Sequence, residues 1–384
     1  MFAKIIGVVT AITIFLLYFR WRGTDPVLET MLGPDTAPMT GIEGRKREHI
    51  DTVLNEDVSS KGVTTGLEDY AFDHVALPEI DLDAVETGCT VLGRDLSAPL
   101  LISSMTGGTA IARDINMRLA EAAQSLGIAM GVGSQRAAIE QPCFADTFDV
   151  RSVAPDILLF ANLGAVQLNY GYSADQARQA VDMIGADALF LHLNPLQEAV
   201  QAGGDRNWTG LYAKIGTLVE TLGVPVVIKE VGNGISGAVA RRLADLGVAG
   251  IDVAGAGGTS WSEVEAYRQK DPAVRRIAHT FAGWGIPTAT ALADVCEAAP
   301  GLPVFASGGI RSGIDVAKAI RLGASLVGMA APALGSATET ADMVTETLTE
   351  TAAELRIAMF CTGSRDLTAL KSAAMRRVSS GDRV

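Results

Sequence analysis

Four short stretches of this chain carry residue types that could do chemistry together. The first is His192-x-Asn194-x-x-Gln197-Glu198, which gathers an imidazole, two amides and one carboxylate. The second is Lys229, which ends an otherwise apolar run. An unpaired ammonium there would be costly, so an anionic partner is expected. The third is Gly308-Gly309-Ile310-Arg311-Ser312-Gly313. Ser312 with Asp315 resembles a capping box that opens a helix, and backbone N–H groups at such a place bind phosphate. The fourth is Arg45-Lys46-x-x-His49. Taken alone, those charges read as a solvated helix face. His192 taken alone reads equally as a core histidine at a strand end, and only Asn194 and Gln197 beside it favour a functional role. His74 and His279 stand in no motif and read as structural.

The elements around these residues follow a regular order. Eight short apolar runs lie at Leu100–Ser103, Ala129–Val132, Ile157–Ala161, Leu189–Leu193, Val226–Val231, Ile251–Ala254, Val304–Ser307 and Leu326–Met329. Near-continuous apolar runs suit parallel strands buried on both faces. Stretches of helical periodicity lie between them, such as Asn116–Leu126 and Ile314–Leu322. A strand–helix alternation repeated eight times predicts an α/β fold, a (β/α)8 TIM barrel with an N-terminal extension. A doubly wound sheet has the same alternation, because strand count does not prove closure. Almost every run finishes in Gly, Asn, Ser or Thr. Barrel active sites sit at the C-terminal strand ends, and phosphate binds after strands seven and eight. Gly308–Gly313 and Gly328-Met329-Ala330-Ala331 occupy those two places.

The composition is that of a globular chain, with 48% hydrophobic and 20% charged residues. A net charge of -13 repels nucleic acid, so no such partner is expected. An anionic small molecule would need a local basic site against that field. The four cysteines, Cys89, Cys143, Cys296 and Cys361, are far apart and form no C-x-x-C pair. Neither a zinc site nor a disulfide framework is expected from that spacing.

Taken in order, the motifs resemble one family. They are Arg45-Lys46-x-x-His49, Met105-Thr106-Gly107-Gly108, Gly131-x-Gly133-Ser134-Gln135-Arg136, Asn162-Leu163-Gly164 and His192-x-Asn194-x-x-Gln197-Glu198. Then come Lys229-Glu230-Val231-Gly232-Asn233-Gly234, Gly257-Gly258-Thr259-Ser260-Trp261 and Gly308-Gly309-Ile310-Arg311. This set, over residues 45–375, is similar to the type 2 isopentenyl diphosphate isomerases. The resemblance implies interconversion of isopentenyl and dimethylallyl diphosphate, with reduced FMN, Mg2+, and NADPH as reductant. It implies FMN contacts at Met105, Thr106, Gly107, Ser134, Asn162, Lys229, Thr259, Gly309, Ile310, Arg311, Ala330 and Ala331. It implies a diphosphate site at Arg45 and Lys46, helped by His49, Arg136, His192 and Asn194. Gln197 would lie near the reacting alkene, and Glu198 would hold Mg2+. A homo-oligomer, tetramer or octamer, is also implied. An FMN-dependent 2-hydroxy acid oxidoreductase is the nearest rival. It would need a histidine base near the sixth strand end, where this chain has Ala254-Gly255-Ala256-Gly257-Gly258. A non-catalytic, membrane-anchored flavin-binding protein is the rival of another class. The intact Gln197-Glu198 and Arg45-Lys46 pairs speak against it.

The expected organisation is a hydrophobic leader over 1–22, a linker over 23–44, the isomerase domain over 45–375 and a tail over 376–384. Ile5 to Phe19 has no charge, and Arg20 and Arg22 follow it. Fifteen residues is short for a membrane span. It reads either as a single-pass anchor on the cytoplasmic face of the inner membrane or as an over-long start, with translation beginning at Met31 or Met39 in the cytoplasm. In both cases a chain starting at Met39 should fold and keep the isomerase activity that the resemblance implies. Turnover of that shortened chain against the full one checks this, and an inactive or unfolded product would place the leader inside the catalytic unit.

Overall fold

Alternation along each strand builds this fold. In the computed structural model, residues 42–378 are described. The chain divides by its contacts between Gly44 and Arg45. Eight strands form a closed, all-parallel barrel: β1 (Leu100–Ile102), β2 (Ala129–Gly131), β3 (Leu159–Gly164), β4 (Ala188–His192), β5 (Val226–Lys229), β6 (Gly250–Asp252), β7 (Val304–Ala306) and β8 (Leu326–Met329). β8 pairs with β1, so the sheet has no edge. The doubly wound alternative is thereby excluded.

Side chains of a strand point alternately to its two faces. In a barrel one face is the interior and the other meets the helices. The buried residues separate accordingly. Leu101, Ala129, Phe160, Phe190, Val227, Phe305 and Leu326 belong to one cluster inside the barrel. Their strand neighbours Leu159, Ala161, Leu189, Leu191, Val226 and Ile228 belong to the larger cluster shared with the helices. Three aromatic rings fill the interior. Phe160 stacks on Phe190 at 4.1 Å between centroids, and Phe305 meets them edge-on at 6.1 and 6.4 Å. Gly131 and Gly328 leave the room for this layer and the one above it. A Cβ on Gly131 would stand 3.0 Å from the Phe190 ring, and one on Gly328 would stand 2.4 Å from Ser103 Oγ.

A hairpin closes the N-terminal end of the barrel. Its strands Cys89–Val91 and Arg94–Leu96 are antiparallel. Leu92 and Gly93 both take positive φ, 49° and 79°, the backbone of a tight two-residue hairpin turn. Val91 and Leu96 from this hairpin complete the inner cluster.

All eight expected strands are present, with ends shifted by at most three residues. The largest shift is in β3, expected over Ile157–Ala161 and found at Leu159–Gly164. Asn162 reads as a strand end because it is polar. Inside the barrel its amide donates to Val132 O at 3.1 Å, and the strand continues through it. The helix expected at Asn116–Leu126 begins earlier, at Ala110, where Thr109 caps Ala112 N, and it ends at Gly127 in the left-handed conformation. The expected capping box of Ser312 and Asp315 is formed. The helix after β2 is reduced to Arg136–Glu140 and a 3-10 segment, Pro142–Thr147. Pro142 has no N–H and cannot continue the preceding turn.

No helix among the described residues is long and apolar enough to cross a membrane. The run Ile5–Phe19 lies outside the described residues. The four cysteines are free thiols. Phe160, fully buried at the centre of the aromatic layer, should cost about 3–5 kcal/mol when changed to Ala. Urea unfolding at neutral pH measures it, and a loss below about 1 kcal/mol would mean that this layer does not hold the barrel closed.

Candidate active site

The same alternation that puts phenylalanines at mid-barrel puts polar residues two positions later, at the C-terminal mouth. Asn162 follows Phe160, His192 follows Phe190, Lys229 follows Val227, and Ser307 follows Phe305. The ladder aligns His192 with Lys229, and Lys229 with Asp252. A polar ring therefore stands on an apolar floor.

Within this ring the charges are already paired. Lys229 Nζ donates to Asp252 Oδ2 at 2.8 Å and to Ser307 Oγ at 3.3 Å. Asp252 is fully buried. The expectation that Lys229 needs an external anion is therefore corrected: the chain supplies its counter-ion. His192 Nδ1 lies 2.7 Å from Asn162 Oδ1. Since the Asn162 amide nitrogen donates to Val132 O, its oxygen must accept, and Nδ1 must carry the proton. Burial, with Lys46 and Lys229 nearby, pulls the His192 pKa down to about 3. His192 is thus a neutral imidazole whose Nε2 is an acceptor.

The central motif forms a second network. Pro195 starts the short helix Pro195–Val200 directly after β4. Asn194 Nδ2 donates to Gln197 Oε1 at 3.0 Å and to Glu198 Oε1 at 3.1 Å. Gln197 Nε2 donates to Glu265 Oε1 at 3.1 Å. Glu198 Oε2 accepts from the Asp205 N–H at 2.6 Å. Burial raises the Glu198 pKa, which is the state that a bound cation would relieve. Asn194 Oδ1 is buried with no partner. One carboxylate with a free amide oxygen beside it fits a Mg2+ ion that takes its remaining ligands from water and phosphate. Among the described residues no group of three or more His, Cys, Asp or Glu side chains forms a metal cluster.

Glu265 escapes a reading by motif. It is fully buried on the helix Trp261–Arg268 after β6. His49 Nε2 stands 3.0 Å from its Oε1, and Arg268 Nη1 donates to its Oε2 at 2.6 Å. The Gln201 amide fits between Glu265 and Arg45, at 3.1 Å to each. Burial alone would push this carboxyl up, but His49, Arg268 and Gln197 hold it below the usual range. The one sequence signal was Glu265 with Arg268, three residues apart on a helix that opens from a glycine loop. His49 pairs with Glu265 and rests edge-on against Trp261 at 5.2 Å.

The basic residues differ in their availability. Arg136 is held by Glu140 at 2.7 Å and by Asp205 at 2.6 Å, so it is neutralised before any ligand arrives. Lys46 lies beside Gly108, and burial together with Arg45 lowers its pKa to about 8. Arg45 and Lys46 are the half-buried cations of the N-terminal helix Ile42–Asn55 that face this site.

The expected flavin residues surround the mouth. Ser103 and Ser104 at the end of β1, and Ser260 after β6, carry buried hydroxyls without partners. Such orphans beside Met105, Thr106, Gly107 and Thr259 are what a polar ligand would satisfy. After β7, Asp315 Oδ2 accepts from the N–H groups of Arg311 and Ser312. Arg311 can therefore contribute its exposed guanidinium, but its backbone N–H is taken. The N–H groups of Gly309 and Ile310 have no acceptor among the described residues. Ala330 and Ala331 begin a helix with no side-chain cap, and Ser134 precedes the short helix after β2. Donor set and orphans together fit FMN. Ala254, two residues past β6, takes φ 37°, and the loop beyond it carries no histidine.

The described family model that matches is FMN-dependent dehydrogenase, over residues 41–143 and 174–377. Among solved structures, a mandelate oxidase superposes with TM-score 0.60 at 21% identity, covering 87% of this chain and 95% of that one. A lactate oxidase from Pediococcus acidilactici gives TM-score 0.61 at 17% identity, with 87% and 91% covered. At that identity the likeness is one of fold. Sequence relatives are far closer. The isopentenyl-diphosphate delta-isomerase of Synechocystis sp. is 61% identical over 90% of this chain and 99% of its own length. The Synechococcus sp. and Cronobacter sakazakii enzymes of the same name are 55% and 53% identical, over 89% and 88% of this chain and 98% and 97% of their own. With that identity over nearly the whole length of those relatives, and with the mouth residues in place on an FMN-type barrel, the chain belongs to the isopentenyl-diphosphate delta-isomerase family.

Proposed function

We propose that this enzyme moves the double bond of isopentenyl diphosphate by one carbon to give dimethylallyl diphosphate, using reduced FMN and Mg2+ at the barrel mouth. The observation that carries the reading is the state of two groups in the site, His192 and Glu265. Moving the double bond requires a proton added at one carbon and another removed elsewhere, and an alkene is a very weak base. His192 is neutral with its one N–H spent on Asn162, and Glu265 is held ionised by its neighbours. Neither is a strong acid. Reduced FMN, when bound, supplies the missing proton donor and an electron-rich face.

The chain's residues then have separable tasks. Arg45 and Lys46 take the diphosphate, as the cations that no carboxylate has claimed in the contacts described above. Glu198, with Asn194 Oδ1, would hold Mg2+, which would supply positive charge for the substrate's phosphates. Gln197 is fixed between Asn194 and Glu265, so its amide points in one direction at the alkene. The apolar floor of Phe160, Phe190 and Phe305 keeps water from below, and a dry site is needed where positive charge develops. Met105, Thr106, Gly107, Ser134, Asn162, Lys229, Thr259, Gly309, Ile310, Arg311, Ala330 and Ala331 make up the FMN surround. NADPH as reductant, a homo-oligomeric assembly and a cytoplasmic location go with this reading.

The direct test mixes the purified protein with FMN, NADPH, Mg2+ and isopentenyl diphosphate. Dimethylallyl diphosphate should form, and NADPH should be consumed only to reduce the flavin, not once per turnover. Stoichiometric NADPH oxidation coupled to product would point to an oxidoreductase instead. In the same assay Glu198→Gln should raise the Mg2+ concentration for half-maximal rate by about tenfold or more while FMN stays bound. An unchanged Mg2+ titration would remove Glu198 from the metal site.

A further inference from the structure

Asp252 plays no part in the tasks assigned so far, yet it sits at the centre of the polar ring. It ends β6 and is fully buried. Its Oδ2 accepts from Lys229 Nζ on β5 at 2.8 Å. Its Oδ1 accepts from Ser307 Oγ, just past β7, at 2.7 Å and from the Ala254 N–H at 3.2 Å. Both oxygens are thus used, and they tie three adjacent strand ends to one point. The last of these contacts also holds Ala254 in its strained φ of 37°.

Lysine carries its charge on a flexible four-carbon stem with three donor protons. Asp252 and Ser307 take two of them, which leaves one direction for the third. A bland account exists, since a buried ammonium needs a counter-ion wherever it stands. That account requires one carboxylate oxygen near Nζ. It does not require the second oxygen to be braced by Ser307 and by the backbone of the next residue, nor Ser307 to reach Lys229 as well.

We propose that Asp252 is a positioning residue for the flavin: by holding the Lys229 ammonium at a fixed point of the barrel mouth, it sets how tightly FMN binds and in what electrostatic surroundings. This rests on the FMN reading above. Asp252 touches neither Arg45, Lys46 nor Glu198, and Lys229 is the charged group it meets among the described residues, so its electrostatic effect on the flavin should pass through Lys229.

The experiment titrates FMN into the apoprotein and records affinity and the visible spectrum of the bound flavin. Four proteins are compared: the unaltered chain, Asp252→Asn, Lys229→Met and the double variant. Asp252→Asn should weaken FMN about tenfold and shift the long-wavelength flavin band, because the carboxylate charge that fixes the ammonium meeting the flavin is removed. In the Lys229→Met background the same substitution should change neither reading. A lower melting temperature of the Asp252→Asn apoprotein with unaltered FMN affinity and spectrum would reduce Asp252 to a counter-ion and overturn the proposal. So would an equal effect of Asp252→Asn in both backgrounds. If Asp252→Asn alone does not fold, Ser307→Ala loosens the same carboxylate without touching its charge. A shifted flavin band in that variant supports positioning, and an unshifted one overturns it. An unaltered chain that binds no FMN would sink the functional reading and this inference together. Normal binding with indifferent variants would sink this one alone.

Discussion

Closure of the eight-stranded barrel is the constraint on which the rest depends. Once the sheet has no edge, each strand must send alternate residues into a space of fixed width. Three phenylalanine rings, with Leu, Val and Ala around them, occupy most of that space. The next inward position lies at the C-terminal end of each of these strands or just past it. Whatever stands there meets its counterparts from the neighbouring strands at hydrogen-bonding distance. Asn162, His192, Lys229, Asp252 and Ser307 hold those positions. Their mutual pairing follows from geometry before any ligand is considered.

Two consequences shape the electrostatics. Polar groups in a water-poor ring must satisfy one another, so Lys229 donates to Asp252, and the His192 Nδ1–H donates to Asn162 Oδ1. The cations left for an anionic ligand come from outside the ring, on the helix Ile42–Asn55. That helix is docked by His49 against Glu265, and Glu265 also fixes Gln197. One buried carboxylate thus couples the helix that brings Arg45 and Lys46 to the amide nearest the expected alkene. In a chain with a net charge of -13, such local arrangement is what makes an anion site feasible.

Several features were legible in the sequence because they depend on neighbours along the chain. The eight apolar runs, the capping box of Ser312 with Asp315, and the concentration of Gly, Asn, Ser and Thr at strand ends are local signals, and the barrel follows from their order. The glycine loops and the His192–Glu198 motif carried the family resemblance for the same reason: their residues sit within a few positions of one another.

The tertiary structure decided the partners. Asp252 lies 23 residues from Lys229, and Glu265 lies 216 from His49. No periodicity links such pairs, since strand register and closure alone bring them together. For that reason an ammonium that seemed to require an external anion has an internal one, Arg136 meets two carboxylates, and Arg311 gives its N–H to Asp315. By itself the sequence determined which elements form and which residues stand at their ends. Only the closed barrel decided which of those residues face each other, because a charge on one strand is neutralised by whatever the pleat places beside it on the next.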